Sequence, residues 1–356
     1  MNNWLNDIND SFYESLKEFI EENKEKIDSE DISSEIEEFV EKSTSAASEV
    51  LQKELNKNAH NMLREHRYEE EGFKSRLHMR WYPAFDLLRS LIVLSEEAGR
   101  DFNPRESEGL SDDEKNIAEA LTRIHIRAVR CAREIFCLLR GGFSDGAFAR
   151  WRTLHELAIS ALFIKKHGGE LAQKYMDYST IETYYEIKKY REHNEKLGYE
   201  EIEDNTIAEI EQKKQDLEEK YGQNFSRING WAAETLNQDS VKIVDLEKDV
   251  ELDHLRPFYN LACQNVHASP KRLFFNIGIY GNKNQQMLLS GPSNYGLALP
   301  GQNTGISLAQ VSTTLMAVHP TPARIIITGA INQFMQEVSE KFVQIQQQIE
   351  EEEQRG

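Results

Sequence analysis

The sequence predicts an all-α protein: a helical bundle with a small β-hairpin or Gly-rich insertion and charged helical arms. Three observations predict it. Ile117, Leu121, Ile124, Ala128, Cys131, Ile135 and Leu138 recur at intervals of four and three, which puts them on one face of a helix. Ser111-Asp-Asp-Glu114 has the spacing of a capping box, in which a cap oxygen and a third-position Glu satisfy free amides reciprocally. Hydrophobic residues make up only 39% of the 356 positions, low for a compact globule, so part of the chain is solvated helix.

Residues 1–60 hold sixteen acids against six lysines, with no arginine and no proline. Trp4, Ile8, Phe12, Leu16, Phe19 and Ile20 form one apolar stripe, and Ile32, Ile36, Phe39 and Val40 a second, with Ser29 or Ser33 as its cap. This is an acidic helical extension. It packs as a solvated helix pair on the body or on another subunit, or it covers a basic site as a DNA-mimic arm. Residues 61–110 are a helical segment and loop, in which Pro83 starts or kinks a helix.

Residues 111–275 form the helical core. Gly141 ends its first helix. The second opens near Ser144 or Asp145, either of which can cap it, and turns Phe148, Trp151, Leu154, Ala158 and Ala161 inward. Residues 186–222 are highly charged and read as an exposed helical arm. A helix over 251–266 buries Leu252, Leu255, Tyr259, Ala262 and Val266. Residues 276–305 read as a Gly-rich hairpin or loop, and 306–356 as a C-terminal helix with an acidic tail.

The chain carries 61 acidic and 42 basic side chains, a formal charge of −19. Such acidity excludes a protein that coats nucleic acid by charge, because phosphate contacts need Lys and Arg to displace counterions. Three cysteines offer no disulfide framework and no CxxC pair, which points to a reducing cytosol. The acidic N-terminus is unlike a signal peptide. The longest apolar runs, near 87–94, 157–164 and 325–331, fall short of the ~20 residues that span a bilayer. The expected setting is cytoplasmic, with no membrane contact.

No P-loop, HExxH, GxSxG or Cys/His quartet is present, so no metal or cofactor is expected. The chemistry concentrates elsewhere. At ~100° per residue, Arg152, His155 and Glu156 fall on one face of a single helical turn. Seven arginines and no lysine lie between 121 and 156, against Glu134, Asp145 and Glu156, giving +4 inside an acidic chain. Arg123, Arg127 and Arg130 form one stripe of that island, and arginine suits bidentate contact with phosphate or carboxylate. The island is the place where RNA can bind, unless the acidic arms pair with it. A second cluster has Arg256, Asn260 and His267 on a common face, with His267 at a helix C-terminus where the dipole favours imidazolium.

Arg152-Thr-Leu-His-Glu156, Tyr175, Tyr178, and Tyr259 followed by His267-Ala-Ser269 resemble an uncharacterised bacterial helical family with an R-x-x-x-E helix and a later H-[AG]-S. The likeness covers about 118–308. Arg150-Trp-Arg-Thr-Leu-His155 is also similar to the R-x(4–6)-H mark of the HEPN superfamily of metal-independent ribonucleases, which act as dimers in toxin and phage-defence systems. In one unbroken helix Arg150 and His155 are ~140° apart, so they converge only if the helix starts late or bends.

That resemblance implies an endoribonuclease in which His155 or His267 acts as base or acid and Arg150 or Arg152 stabilises charge on phosphate. Glu156 would orient them, with Arg123, Arg127, Arg130, Tyr178, Arg256, Tyr259 and Asn260 holding substrate. A homo-oligomer or a partner protein would engage the acidic arms. The expectation from another class is a non-enzymatic sensor or scaffold whose Arg/Glu/His cluster is structural. A third is a pocket for a small anionic ligand at that cluster.

Overall fold

The computed structural model describes residues 4–23, 32–102, 110–267, 270–271, 277–279 and 289–355. Every regular element among them is helical: twelve α-helices and three short 3-10 turns, with no strand. The all-α class is as the sequence predicts. The expected hairpin is not formed by the described residues, and most of its strand-like pieces (274–280 and 287–290) lie outside them.

The chain divides into two compact units, Met1–Phe73 and Lys74–Gly356. In the first, α1 (Trp4–Glu22) meets the leading part of α2 (Ile32–Arg100), with the Phe19 ring stacked on Phe39 at 4.2 Å. Residues 44–58 are exposed, and their charges pair along the helix, as in Lys57 with Glu54 at 3.4 Å. Pro83 starts no helix; it lies inside α2.

The second unit is built around α3 (Asp112–Arg140), α4 (Ser144–His167), α11 (Ala298–Met316) and α12 (Pro322–Arg355), which pack on one another. The capping box at the start of α3 is formed as expected, with Glu114 N donating to Ser111 Oγ (3.3 Å) and Ser111 N to Glu114 Oε2 (2.9 Å). Gly141 N closes the helix on Cys137 O (3.0 Å), and Gly142 turns the chain at φ +80°. The α4 cap differs from expectation: the cap residue is Phe143, which makes no side-chain cap bond, and Ser144 is already helical.

Phe148, Trp151, Leu154, Ala158 and Ala161 are fully buried on α4. Trp151 Nε1 donates to Asn303 O and Ser307 Oγ, both at 3.0 Å, which ties α4 to α11. Residues 298–305 are therefore helix, not the loop their glycines imply. The reason is packing. A Cβ on Gly301 would lie 2.4 Å from the Phe342 ring, and one on Gly305 3.0 Å from Val338 Cγ1, so the glycines let α11 and α12 approach closely.

The remaining helices surround this core. α5 (Gly169–Arg191) lies on α3 and packs against α7 (Asp204–Tyr221), which has no buried residue, with α6 (Asn194–Leu197) between them in sequence. α8 (Ala233–Leu236), α9 (Ile243–Asp249) and α10 (Arg256–Val266) follow. α9 and α10 both pack on α4. The 251–266 helix begins later than predicted, after a 3-10 turn at Asp253–Leu255, and Val266 at its end is exposed. No helix among the described residues is long and apolar enough to cross a membrane. The three cysteines are free, and burial pushes the Cys131 thiol up to about 11.

His125 makes the core sensitive to acid. It is 2% exposed, its Nε2 lies 3.2 Å from Ser312 Oγ, and burial lowers its pKa from 6.5 to about 4. The unfolded chain takes up this proton near pH 6.5 and the folded chain does not, so stability falls as pH drops from 6.5 towards 4. The full gap is worth roughly 3 kcal/mol. Denaturant titrations between pH 7 and pH 4.5 should show that His125→Gln flattens this decline, relative to its own stability at pH 7.

Candidate functional site

Side chains from α3, α4, α5 and the loop before α8 converge on a cleft of about 900 Å³ in the second unit. α3 contributes Glu119, Arg123 and Arg127, at a spacing of four that keeps them on one side of the helix. Thr153, Glu156, Leu157 and Ser160 of α4 form the floor. α5 adds Tyr175, Tyr178 and Glu182. The far end is closed by Asn229 and Trp231. Asn229 stands at φ +54°, a conformation Asn tolerates better than most residues, and its Nδ2 holds Val241 O at 3.1 Å. Trp231 is buried edge-on between Phe163 (5.6 Å) and Tyr175 (4.9 Å).

Behind the floor sits a network that links α4 to α10. Arg152 Nε donates to Glu156 Oε1 (3.0 Å) and to Tyr259 OH (3.1 Å), and Tyr259 OH donates to the same Glu156 oxygen at 2.6 Å. Both bonds fall on Oε1, so the second carboxylate oxygen of Glu156 has no hydrogen-bond partner among the described residues. Burial, with the bond to Glu156, holds the Tyr259 phenol well above its usual range. Burial opposes the charge on Arg152, but its bonds to Tyr259 and Glu156 more than offset this and raise its pKa.

His155 departs from the predicted face. It is fully buried, stacks on Trp151 at 5.0 Å, and places Nε2 3.3 Å from Glu247 Oε1 of α9, itself fully buried. The second oxygen of Glu247 forms an ion pair with Arg256 Nη2 whose geometry is not that of a hydrogen bond. Arg256 lies over the Tyr259 ring at 4.7 Å and Arg152 at 5.4 Å, so the two networks meet at this ring. One turn of α4 thus serves two clusters: Arg152 and Glu156 join Tyr259 of α10, and His155 joins Glu247 of α9. A substrate cannot touch His155 without opening the core.

The other predicted residues scatter. Arg150 points to Glu134 at 2.5 Å and away from His155, as an unbroken α4 requires. Asn260 and His267 are exposed on α10 and at its end; His267 makes no side-chain hydrogen bond among the described residues, and Ala268-Ser269 lie outside them. Arg130 pairs with Glu134 at 3.4 Å. Tyr178 reaches the cleft while its hydroxyl donates to Arg227 O at 2.7 Å.

Among the described residues, the arginine island is largely neutralised by carboxylates of the second unit itself. Arg123 meets Glu119 at 2.8 Å, Arg130 and Arg150 share Glu134, Arg133 meets Glu96, and Arg152 meets Glu156. Arg140 lies over the Phe136 ring. Arg127 is left without an ion pair within 4 Å among the described residues. It is exposed and acts at longer range on Tyr175 and Glu182. Burial and the neighbouring Glu186 raise the Glu182 pKa, and Arg127 opposes the shift.

Sequence reasoning missed Glu182, Ser160, Asn229, Trp231 and Glu247. Glu182 and Glu247 stand in charged helices where an acid carries no local mark. Trp231 had a signal, a rare large aromatic in a Gly-Trp-Ala turn.

Residues 118–285 match a family of unknown function, DUF5677. The matched span contains every residue that lines the cleft and both networks behind it. No curated protein and no solved structure matches the chain.

Proposed function

We propose that this chain is a non-enzymatic helical sensor or scaffold. Its Arg152–Glu156–Tyr259 and His155–Glu247–Arg256 networks are structural, and its cleft on α3, α4 and α5 takes a small ligand. The observation that carries this reading is the state of the groups a ribonuclease would use. His155 is fully buried on Glu247, and five of the seven island arginines already hold carboxylates. Binding an RNA backbone would mean exchanging those pairs for phosphate. It would also bring phosphates beside Glu119, Glu156, Asp177 and Glu182, four carboxylates against two guanidiniums in the cleft lining.

The test is cleavage and binding of a mixed-sequence RNA by the full chain. The expected outcome is no turnover, and weak binding that vanishes as salt rises. Cleavage that is lost in both His155→Ala and His267→Ala, with circular dichroism unchanged, overturns the reading in favour of the ribonuclease. Cleavage that survives in both variants and in Arg152→Ala is a contaminant, and the reading stands.

A further inference from the structure

We propose that the cleft binds a small zwitterion, a molecule carrying a carboxylate and an ammonium group such as a short free peptide, with Arg127 taking the carboxylate and Glu182 the ammonium. This rests on the ligand-binding reading above and names its ligand class.

The argument begins with which charges are already used. Arg123 is held by Glu119 at 2.8 Å. Asp177 accepts from Tyr221 (2.8 Å) and Gln173 (2.8 Å) and pairs with Lys220 (3.5 Å). One oxygen of Glu156 is taken by Arg152 and Tyr259. Among the described residues, two lining charges have no ion-pair partner within 4 Å, Arg127 on α3 and Glu182 on α5. They are of opposite sign and belong to helices that pack side by side. Yet no nitrogen–oxygen distance between them falls within 4 Å among the described residues, so they face the same cleft without closing on each other.

A cation and an anion held apart in one cleft select a ligand with the complementary pair. A guanidinium offers two parallel N–H groups to a carboxylate. A carboxylate accepts from an ammonium group. The free oxygen of Glu156 adds a second acceptor on the floor.

The sum of charges argues against the competing classes. A polyanion would meet the unpaired Glu182 and the free oxygen of Glu156 with Arg127 as its one unpaired cation in the lining among the described residues, and a simple cation would leave Arg127 facing it. A neutral apolar ligand would desolvate both charges without replacing their water. The volume, about 900 Å³, lies in the range of small-molecule sites and exceeds what one amino acid fills, which favours di- and tripeptides or molecules of that size.

The experiment is titration calorimetry of the full chain with a panel of free di- and tripeptides, each also tested N-acetylated and C-amidated, with inorganic phosphate as a further ligand. At least one free peptide should bind with a Kd below about 1 mM, and each blocking group should weaken it by about tenfold or more. Arg127→Gln should abolish the penalty of amidation, and Glu182→Gln the penalty of acetylation. Both residues are exposed, so neither change disturbs the core.

The proposal is overturned if no free peptide binds at about 10 mM, a range where even weak affinities register. It is equally overturned if blocked peptides bind as well as free ones, or if phosphate binds more tightly than any peptide. Its failure is distinct from that of the functional reading, which falls only on RNA cleavage lost in the histidine variants.

Discussion

Glu247→Ala should lower the melting temperature of the second unit by about 10 °C, the equivalent of roughly 3–5 kcal/mol. Glu247 is fully buried and faces two partners, His155 Nε2 at 3.3 Å and the Arg256 guanidinium. Alanine removes the carboxylate and leaves both behind. Arg256 cannot shed its proton, and its Nε and Nη2 are already buried without hydrogen bonds among the described residues. His155 Nδ1 likewise has no hydrogen-bond partner among the described residues, so the ring loses the polar contact it has there.

The cost arises from abandoned partners, not from lost bond energy. Glu247→Leu combined with Arg256→Leu should therefore lose less stability than Glu247→Ala alone. Paired thermal melts of the single and double variants decide the matter. A double variant as unstable as the sum of its singles would show that the two side chains are not coupled.

The same cluster explains how far the sequence could be read. Local pattern sufficed where partners are near in the chain. The predicted stripe is buried from Ile117 to Ile135, with Leu138 at its end half-buried, and Ser111 and Glu114 cap each other. Arg152 and Glu156, one turn apart, were legible as a pair. Tyr259, at the oxygen they share, is 107 residues from Arg152, and Glu247 is 92 from His155.

No period links such positions, so an Arg, a His and a Glu on one turn looked like one site where the fold makes two. The charge island failed for a related reason. Its surplus of arginine is real in the sequence, yet Glu96, 37 residues before Arg133, supplies part of the neutralisation. Glycine misled as well. At Gly301 and Gly305 it reads as loop, because the need for a missing Cβ is visible only once Phe342 and Val338 are in place.

Gly230→Ala, between the cleft residues Asn229 and Trp231, is expected to be strongly destabilising for a single added methyl. A Cβ there would lie 2.1 Å from Phe225 O and 2.5 Å from Asn224 O. Both are backbone atoms of a 3-10 turn, Gln223–Ser226, and cannot rotate aside as a side chain would. The 230–231 segment must move away instead. That motion pulls Trp231 from Phe163 and Tyr175, the rings that fix the closed end of the cleft. Such overpacking costs typically 1–3 kcal/mol, and about 3 is expected where backbone must yield.

Gly329→Ala is the matched control. Gly329 is exposed within α12 with nothing within 4 Å of the added atom, so alanine there should stabilise by roughly 0.5–1 kcal/mol through its helix propensity. Chemical denaturation of the two variants separates the effects by sign. Calorimetry then tests the link to function: if Gly230→Ala loses stability but keeps wild-type affinity for the peptide ligand, the Trp231 wall has no part in binding. A loss of affinity beyond the loss of stability places the closed end of the cleft against the ligand.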